Sequence, residues 1–288
     1  MDGTQTLLRF APSPNGYLHL GHAYSALFNA RLAAEAGGVM LLRIEDIDLG
    51  RSRREFELAI IEDLAWLGLE WPEPVRRQST HFSDYALALE RLQGMGLVYP
   101  CFCTRGEIAA ASALQNDARR DPDGAPLYPG TCKHMRGNER ARRLNSGQNA
   151  ALRLDMDLAL ARCGTLLGWS EYGEGEEPRD VRAEPMIWGD VVLGRKEFPA
   201  SYHIGVVTDD AGQGVTDVVR GRDVFATTSL HRLLQHLLGL PAPRYRHHAL
   251  IHGESGEKLA KTRGSQSLRD LRAQGVTPAQ VREMAAAD

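Results

Sequence analysis

The sequence predicts an α/β fold built around a parallel β-sheet, and three observations support this. Residues 7–10 and 39–44 form apolar runs typical of strands that are buried on both faces. Between them, apolar residues recur at helical spacing through 20–30, so the order is strand, helix, strand. This order at this separation indicates a βαβ unit. The acidic stretch 45–48 then follows the second strand at its carboxyl end, where open α/β sheets bind ligands.

The remaining elements continue the alternation, with an interruption from Tyr99 onward. Helices are predicted at 56–67, 85–92 and 229–238, and strands at 151–154, 191–193, 204–207 and 216–220. A loop rich in Asp, Arg, Pro and Gly occupies 116–130 and indicates an insertion in the α/β domain. The last 50 or so residues combine a glycine-rich loop with a short helical tail.

The composition is that of a soluble globular protein, with 43% hydrophobic and 25% charged residues. The chain has no apolar run long enough to span a bilayer and no secretory signal, so a cytoplasmic location is expected. The net charge of −3 gives no overall signal for nucleic acid, and RNA contacts would depend on basic segments such as 136–143 and 244–248. Four cysteines in 288 residues indicate reduced thiols or a metal site.

The stretch from Arg9 to His22 reads Arg-Phe-Ala-Pro-Ser-Pro-Asn-Gly-Tyr-Leu-His-Leu-Gly-His. It passes from a strand through a turn into a helix. His19 and His22 therefore share a face at the helix start, where backbone N–H groups and the helix dipole favour phosphate. Gly21 between them leaves the backbone bare, so that a flat ring could lie against it. Without further signals, a surface corner with two histidines would be the simpler interpretation.

This stretch resembles the first signature of class I aminoacyl-tRNA synthetases, in the form carried by the glutamyl branch. Asn15 stands where that branch commonly has Thr, and Leu20 where the general motif has Ile. The segment 257–262, Glu-Lys-Leu-Ala-Lys-Thr, resembles the family's lysine loop, with Ala260 in place of a serine. The resemblance implies a Rossmann-type catalytic domain with a zinc-containing insertion and a small C-terminal subdomain that resembles a stem-contact domain.

The resemblance implies an activation reaction in which positioning and charge neutralisation do the work. His19, His22, Lys258 and Lys261 are then the catalytic residues, and His19, Gly21, His22 and Lys261 bind ATP. Mg²⁺ is expected to accompany ATP, although the sequence shows no protein cage for it.

An amino-acid substrate requires partners for an ammonium and a carboxylate, and glutamate has a second carboxylate. Glu45 at a strand end is placed to pair with the ammonium, and Arg9 and Arg220 are placed to bind carboxylates. Which arginine binds which carboxylate stays open. By resemblance Tyr202 joins them as a hydrogen-bond donor. The full predicted glutamate set is Arg9, Phe10, Ala11, Pro12, Ser13, Glu45, Tyr202 and Arg220.

A structural zinc site is predicted in the insertion. Cys101 and Cys103, with Cys132 across a loop, fit a zinc knuckle that lacks one ligand. Tyr128, His134 and Cys163 are candidates for the fourth position; ordinary zinc chemistry favours the histidine or the cysteine, whereas the family resemblance points to Tyr128. Three unligated thiols are the alternative to a metal site.

The resemblance ends near Thr262, and only 26 residues follow it, too few for the anticodon-binding domain of full glutamyl-tRNA synthetases. The chain therefore resembles the branch that lacks this domain, which activates L-glutamate with ATP without tRNA and transfers it to queuosine in the anticodon of tRNA(Asp). The expected division is 1–98 and 151–238 for the two halves of the catalytic domain, 99–150 for the zinc insertion and 239–288 for the last subdomain. A monomer is expected.

Three other functions compete with this one. The first is a truncated glutamyl-tRNA synthetase that charges tRNA(Glu). The second is a non-catalytic RNA-binding paralogue, which would have no need of both histidines and both lysines. The third is a small-molecule nucleotidyltransferase, in which the set of Arg9, Glu45, Tyr202 and Arg220 is not expected.

Overall fold

The structure is a computed structural model of the chain. It describes residues 5–114, 119–172, 177–250 and 266–286. Lys258 and Lys261 of the predicted lysine loop lie outside the described residues. Among the helices that are described, none has the length and apolar content needed to cross a membrane.

The described residues form both strands and helices, which alternate from β1 to α4 and follow a less regular order after that. The strands are β1 Leu7–Phe10, β2 Val39–Ile44, β3 Arg76–Arg77, β4 Val98–Cys101, β5 Ala151–Leu154, β6 Gly168–Glu171, β7 Arg179–Arg182, β8 Val192–Gly194, β9 Asp217–Gly221 and β10 Arg244–His248. The α-helices are α1 Leu20–Glu35, α2 Arg54–Trp66, α3 Phe82–Gly94, α4 Arg105–Ala113, α5 Gly137–Asn145, α6 Met156–Cys163, α7 Tyr202–Gly212, α8 Thr227–Leu238, α9 Leu268–Ala273 and α10 Pro278–Ala286.

Parallel pairing dominates the central part of the molecule, which confirms the predicted α/β class. Strand β2 pairs in parallel with both β1 and β3, and β10 pairs in parallel with both β9 and β6, while β7 adds an antiparallel edge. The N–H of Thr216 donates to the carbonyl of Leu7 at 2.9 Å, so β9 begins beside β1. Strand order reverses between β1 and β9. Their carboxyl ends therefore border the crevice in which open α/β sheets bind ligands.

A smaller antiparallel sheet of β4, β5 and β8 lies apart from the parallel strands. It carries Cys101 at the end of β4, and the loop and helix that follow complete the region predicted as an insertion. Tyr99, Cys101, Phe102 and Cys132 form a buried cluster of their own there. The four-part division of the chain stays a prediction.

The predicted strand at 204–207 is wrong, because these residues lie in helix α7. All four are buried, as are Asp209 and Asp210 further along the helix. A short apolar run does not distinguish a buried helix from a buried strand, so the sequence pattern was ambiguous here. Gly205 allows the close packing of this helix, since a Cβ atom at this position would lie 2.6 Å from Cδ1 of Ile47. The other predicted helices and strands are confirmed, with ends shifted by a few residues.

A buried acid connects helix α2 to the C-terminal helices and makes stability depend on pH. Asp63 is fully buried, neither carboxylate oxygen accepts a hydrogen bond within the described residues, and its nearest cation is Arg272 at 3.7 Å. Burial raises the pKa of Asp63 to about 6, against a lowering effect of Arg272. A raised pKa in the folded state means that this group penalises folding increasingly as the pH rises from about 4 to 6.

We therefore expect Asp63→Asn to remove this penalty. The gain in free energy of unfolding should be about 1 kcal/mol larger at pH 7.5 than at pH 5, because the wild-type carboxyl is mostly protonated in the folded state at the lower pH. Urea unfolding at both pH values measures the difference. Glu55→Gln, at an exposed position of the same helix, is the control and should give no such difference. Equal effects of Asp63→Asn at both pH values would contradict the assignment.

Candidate active site

The corner between β1 and α1 holds both predicted catalytic histidines. His19 is the N-cap of α1, and its Nδ1 accepts a hydrogen bond from the N–H of Gly21 at 3.1 Å. His22 reaches back, and its Nδ1 accepts from the N–H of His19 at 3.2 Å. Because each Nδ1 is an acceptor, each neutral imidazole carries its proton on Nε2. The helix start thus fixes two histidines as Nε2–H donors.

This corner lines a cleft of about 460 Å³. The lining includes the strand end Phe10–Ser13, both histidines and Gly21, with Gly221 on the opposite side. A Cβ atom on Gly21 would lie 3.1 Å from Cε1 of His19, so a side chain here would press on the imidazole. The residues predicted to bind ATP and the first strand end predicted to face glutamate therefore share one cleft, as far as they are described.

Behind the cleft lies a buried network of charges. Arg9 donates from Nε to Asp210 at 3.1 Å, and Arg43 donates to the same carboxylate oxygen at 2.7 Å. Arg43 also donates to Glu45 at 3.0 Å, and its side chain is fully buried. The two arginines are thus joined through one carboxylate. Burial raises the pKa of Asp210, but the charges of Arg9 and Arg43 outweigh this effect and hold it below its usual range.

Glu45, predicted to pair with the substrate ammonium, is held at the end of β2 by this network. Its Oε1 accepts from Arg43, while its Oε2 has no hydrogen-bond partner among the residues described. Burial raises the pKa of Glu45 despite the opposing charges of Arg43 and Arg9. A further cation beside Glu45 would therefore stabilise its ionised form.

Arg220, at the carboxyl end of β9, is buried without a carboxylate partner in the described part of the chain. It donates to His247 at 3.1 Å, to His231 at 3.3 Å and to the hydroxyl of Thr228 at 2.7 Å. All three acceptors are neutral groups. The guanidinium charge therefore remains available to an anion.

Tyr202 is the first residue of α7, the helix that includes residues 204–207. Its ring lies 5.6 Å from the ring of His231, which also contacts Arg220. The residue is 37% exposed, but burial around its hydroxyl raises its pKa. The charge of Glu45 also raises this pKa, and the charges of Arg220 and Arg9 lower it. Four members of the predicted glutamate set are thus within electrostatic range of one another, although they come from separate elements: Arg9, Glu45, Tyr202 and Arg220.

Sequence reasoning missed the buried groups that hold this set in place. Arg43, Asp209 and Asp210 belong to the network under the cleft, and Asp209 also accepts from Tyr85 at 2.9 Å. Two adjacent acids in an apolar run were a signal that could have identified them. The basic segment 244–248 forms β10, and the side chain of His247 is buried against Arg220. A phosphate contact by this segment stays a prediction.

Three cysteines of the insertion meet as predicted. The sulfur atoms of Cys101, Cys103 and Cys132 all lie within 4.8 Å of one another, and those of Cys103 and Cys132 are 3.5 Å apart. Three thiolates bound to one tetrahedral zinc ion at bond lengths of about 2.3 Å would have sulfur atoms about 3.8 Å apart. Burial raises the pKa of Cys103 to about 11, so the metal-free thiol is protonated at neutral pH. The donor set fits a zinc ion, and binding would displace protons.

Of the three candidates for a fourth ligand, Tyr128 lies at the cluster. Its hydroxyl oxygen is 3.6 Å from the sulfur of Cys103 and accepts from the N–H of Cys132 at 2.7 Å. The guanidinium of Arg153 lies 3.9 Å from the centre of the Tyr128 ring. Cys163 is directed elsewhere, since its thiol donates to the carbonyl of Thr165 at 3.5 Å.

A larger cleft of about 770 Å³ connects this cluster with the glutamate set. Cys101, Cys103 and Tyr128 line one part, and Ser201, Tyr202 and His203 line another. Its lining carries charges of both signs, with four cations, Arg105, Arg153, Arg195 and Lys196, and four acids, Asp121, Asp123, Asp190 and Glu197. The cleft thus connects the two sites through a polar surface of mixed charge.

Comparison with known proteins places the whole described chain in one family. Residues 5–286 match the model of the tRNA synthetases class I (E and Q), catalytic domain. Over 282 residues the chain is 48% identical to a glutamyl-Q tRNA(Asp) synthetase from Rhodobacter capsulatus, covering 96% of this chain and 99% of that protein. It is also 39% identical to glutamate–tRNA ligase 2 from Nitrosococcus oceani, of which it spans 58%.

Solved structures agree with the sequence matches. A glutamate-tRNA synthetase from Elizabethkingia anophelis superimposes with a TM-score of 0.72 at 25% identity, covering 94% of this chain and 54% of that one. The chain thus spans little more than half the length of the glutamate enzymes that it matches, but nearly all of the R. capsulatus relative. It belongs to the class I tRNA synthetase family for glutamate and glutamine, in the group of the glutamyl-Q tRNA(Asp) synthetases.

Proposed function

We propose that this protein activates L-glutamate with ATP in the absence of tRNA and transfers the glutamate to queuosine in the anticodon of tRNA(Asp). The observation that carries the proposal is the match across 99% of a relative named for that substrate, at 48% identity. The site supports it, because the described residues combine a pair of phosphate-directed histidines with arginines suited to two carboxylates.

In the first step the α-carboxylate of glutamate attacks the α-phosphorus of ATP, and pyrophosphate leaves. His19 and His22 donate from Nε2 to phosphate oxygens on which charge develops, at a helix start that also favours anions. The protein supplies no nucleophile, so its contribution is position and charge. Lys258 and Lys261, which lie outside the described residues, are proposed to neutralise the departing pyrophosphate, and Mg²⁺ to accompany the nucleotide.

Glutamate is held by groups that match its three charges. Glu45 pairs with the ammonium through its unpartnered oxygen, and Tyr202 donates a hydrogen bond. Arg220 and Arg9 supply positive charge for the carboxylates, with Phe10–Ser13 lining the cleft beside them. Arg220 is the arginine whose partners are all neutral, so we assign it to the side-chain carboxylate, which distinguishes glutamate from glutamine.

In the second step a hydroxyl of the queuosine ring attacks the carbonyl carbon of glutamyl-adenylate, and AMP leaves. The wide cleft between the glutamate set and the cysteine cluster is the proposed path for the nucleotide, because it leads to Tyr202 and its volume is about 770 Å³. A structural zinc ion held by Cys101, Cys103, Tyr128 and Cys132 is proposed to stabilise that wall.

The direct test is ATP–pyrophosphate exchange with each amino acid in turn, with and without tRNA. We expect exchange with glutamate alone. Labelled glutamate should then transfer to tRNA(Asp) that contains queuosine, and neither to the same tRNA without queuosine nor to tRNA(Glu). Exchange that requires tRNA(Glu), with transfer to its 3′ end, would establish the competing function of a glutamyl-tRNA synthetase.

The proposed metal site predicts the effect of one cysteine. Cys132→Ser should reduce the zinc content of the purified protein below one equivalent and lower its melting temperature, because a structural ion contributes directly to folding. Elemental analysis and thermal unfolding measure both. Cys163→Ser is the matched control, since this buried cysteine lies outside the cluster and should leave zinc bound. Unchanged zinc content and melting temperature in Cys132→Ser would contradict the site.

Tyr128→Phe tests the fourth ligand separately. The variant retains the three thiols and the ring beneath Arg153 but loses the oxygen. We expect it to bind zinc more weakly than wild type in competition with a chelator, and zinc affinity equal to wild type would exclude Tyr128 as a ligand.

A further inference from the structure

The guanidinium of Arg220 has N–H donors that none of its described partners uses. An arginine has five N–H donors, one on Nε and two on each terminal nitrogen. In the described structure Nε donates to His247, one terminal nitrogen to His231 and the other to Thr228. Each terminal nitrogen therefore keeps one N–H that no described residue accepts, and a carboxylate that accepts from both would be bound in bidentate geometry. We call these two remaining donors the Arg220 fork.

The contact with His247 fixes both the charge and the tautomer of that histidine. Its Nε2 accepts from Nε of Arg220 at 3.1 Å, and an arginine N–H is always a donor. Its Nδ1 lies 2.9 Å from Glu171, whose carboxylate also accepts from the backbone N–H of His247. The proton is therefore on Nδ1 and points at Glu171, and the imidazole is neutral.

Glu171 is anchored in turn. It is buried, and its Oε2 accepts from the indole N–H of Trp169 at 2.9 Å. Burial raises the pKa of Glu171, but the interactions with His247 and the hydrogen bond from Trp169 together outweigh burial and lower the pKa. A fixed, ionised carboxylate thus orients the imidazole, and the imidazole orients the arginine.

The chemistry explains why an imidazole stands between the two charges. A carboxylate in direct contact with Arg220 would neutralise its charge and compete with a ligand for its N–H donors, as Asp210 does with Arg43. Because the neutral ring of His247 lies between them, Glu171 compensates the charge of Arg220 without contacting it, and the fork stays open to a ligand. His231 is likewise a neutral acceptor, at another nitrogen of Arg220. Burial holds its pKa well below the usual range, so its ring stays neutral.

We infer that Glu171 and His247 are positioning residues for glutamate recognition, which orient the Arg220 fork toward the side-chain carboxylate without occupying it. This inference rests on the proposed function. It extends the set of specificity-determining groups to β6 and β10, two strands that contribute no residue to the predicted glutamate set.

The test uses His247→Phe in the full-length protein. A phenyl ring retains the packing against Phe225 and Tyr245 but removes the acceptor for Arg220 and the donor to Glu171. We expect the KM for glutamate in pyrophosphate exchange to rise by about 10- to 100-fold, the range for one lost hydrogen bond to a charged group. kcat and the KM for ATP should change less than about threefold, since the histidines of the ATP corner are untouched.

His247→Gln is the rescue variant. A side-chain amide offers both an acceptor for Arg220 and a donor to Glu171, so part of the affinity for glutamate should return. Glu171→Gln is the second variant and retains the shape of the anchor while removing its charge, and it should also raise the KM for glutamate. His236→Phe, at an exposed position of α8, is the matched control and should behave as wild type.

The results separate this inference from the proposed function. Calorimetric titration of L-glutamate alone measures the site directly, while transfer to tRNA(Asp) measures the function. Wild-type glutamate binding without transfer to queuosine contradicts the function only. Three results would overturn the positioning role. The first is a wild-type KM for glutamate in folded His247→Phe, and the second is an equal rise of this KM in His247→Phe and His247→Gln. The third is a parallel rise of the KM values for glutamate and ATP. If His247→Phe does not fold, Glu171→Gln provides the test. A wild-type KM for glutamate in Glu171→Gln would then overturn the inference.

Discussion

His19→Ala is expected to reduce glutamate-dependent ATP–pyrophosphate exchange by about 10²- to 10³-fold in kcat, the usual cost of one donor to a developing negative charge. The reason is the fixed tautomer: Nδ1 accepts from the N–H of Gly21, so the proton of the neutral ring is on Nε2, the atom proposed to donate to a phosphate oxygen. Initial rates at saturating ATP and glutamate measure the effect.

The same substitution removes the N-cap of α1, which is worth about 1 kcal/mol of stability. His19→Asn separates the two roles, because asparagine is a good N-cap but has no donor at the position of Nε2. We expect this variant to recover the melting temperature and to remain as inactive as His19→Ala. Recovery of the exchange rate together with the melting temperature would mean that His19 acts only as a cap.

Arg220→Gln is expected to raise the KM for glutamate by about 10²-fold or more, because two charge-assisted hydrogen bonds to the side-chain carboxylate are lost. The preference for glutamate over glutamine should fall at the same time, since the variant site no longer carries the charge that matches the carboxylate. Exchange assays with both amino acids give the two values.

Two further variants test whether the effect is specific to the guanidinium of Arg220. Arg220→Lys retains the charge but cannot form a fork or reach the three present acceptors together, so it should recover little of the lost affinity. Arg31→Gln removes an exposed arginine of α1 and should leave the KM for glutamate unchanged. A wild-type KM for glutamate in Arg220→Gln would assign the side-chain carboxylate to another cation.

Several parts of the site were predictable because their signals are local. The passage from β1 into α1 is determined by consecutive residues, and the two histidines share a helical face by spacing alone. The cysteine pair of the insertion and Cys132 also meet as expected, although Cys132 lies 29 positions after Cys103, because the pattern of cysteines indicated a shared site. The lysine loop stays a prediction, because Lys258 and Lys261 lie outside the described residues.

Other parts depend on contacts between residues far apart in the chain. Helix α7 was mistaken for a strand, since burial on all sides erases the periodicity that distinguishes the two. Arg9 and Arg43 meet Asp210 across about 200 and 170 residues of sequence, separations at which no local pattern predicts a contact. The same holds for Arg220, whose partners come from α8 and β10.

The sequence by itself determined the parallel α/β class, the phosphate-directed corner with His19 and His22 and the identity of the charged residues predicted to meet glutamate. Only the tertiary structure decided how those charges are distributed. It joins Arg9 to a buried carboxylate and surrounds Arg220 with neutral acceptors. The physical reason is that an arginine's availability for a ligand depends on which of its five donors are already used, and that follows from packing between distant elements.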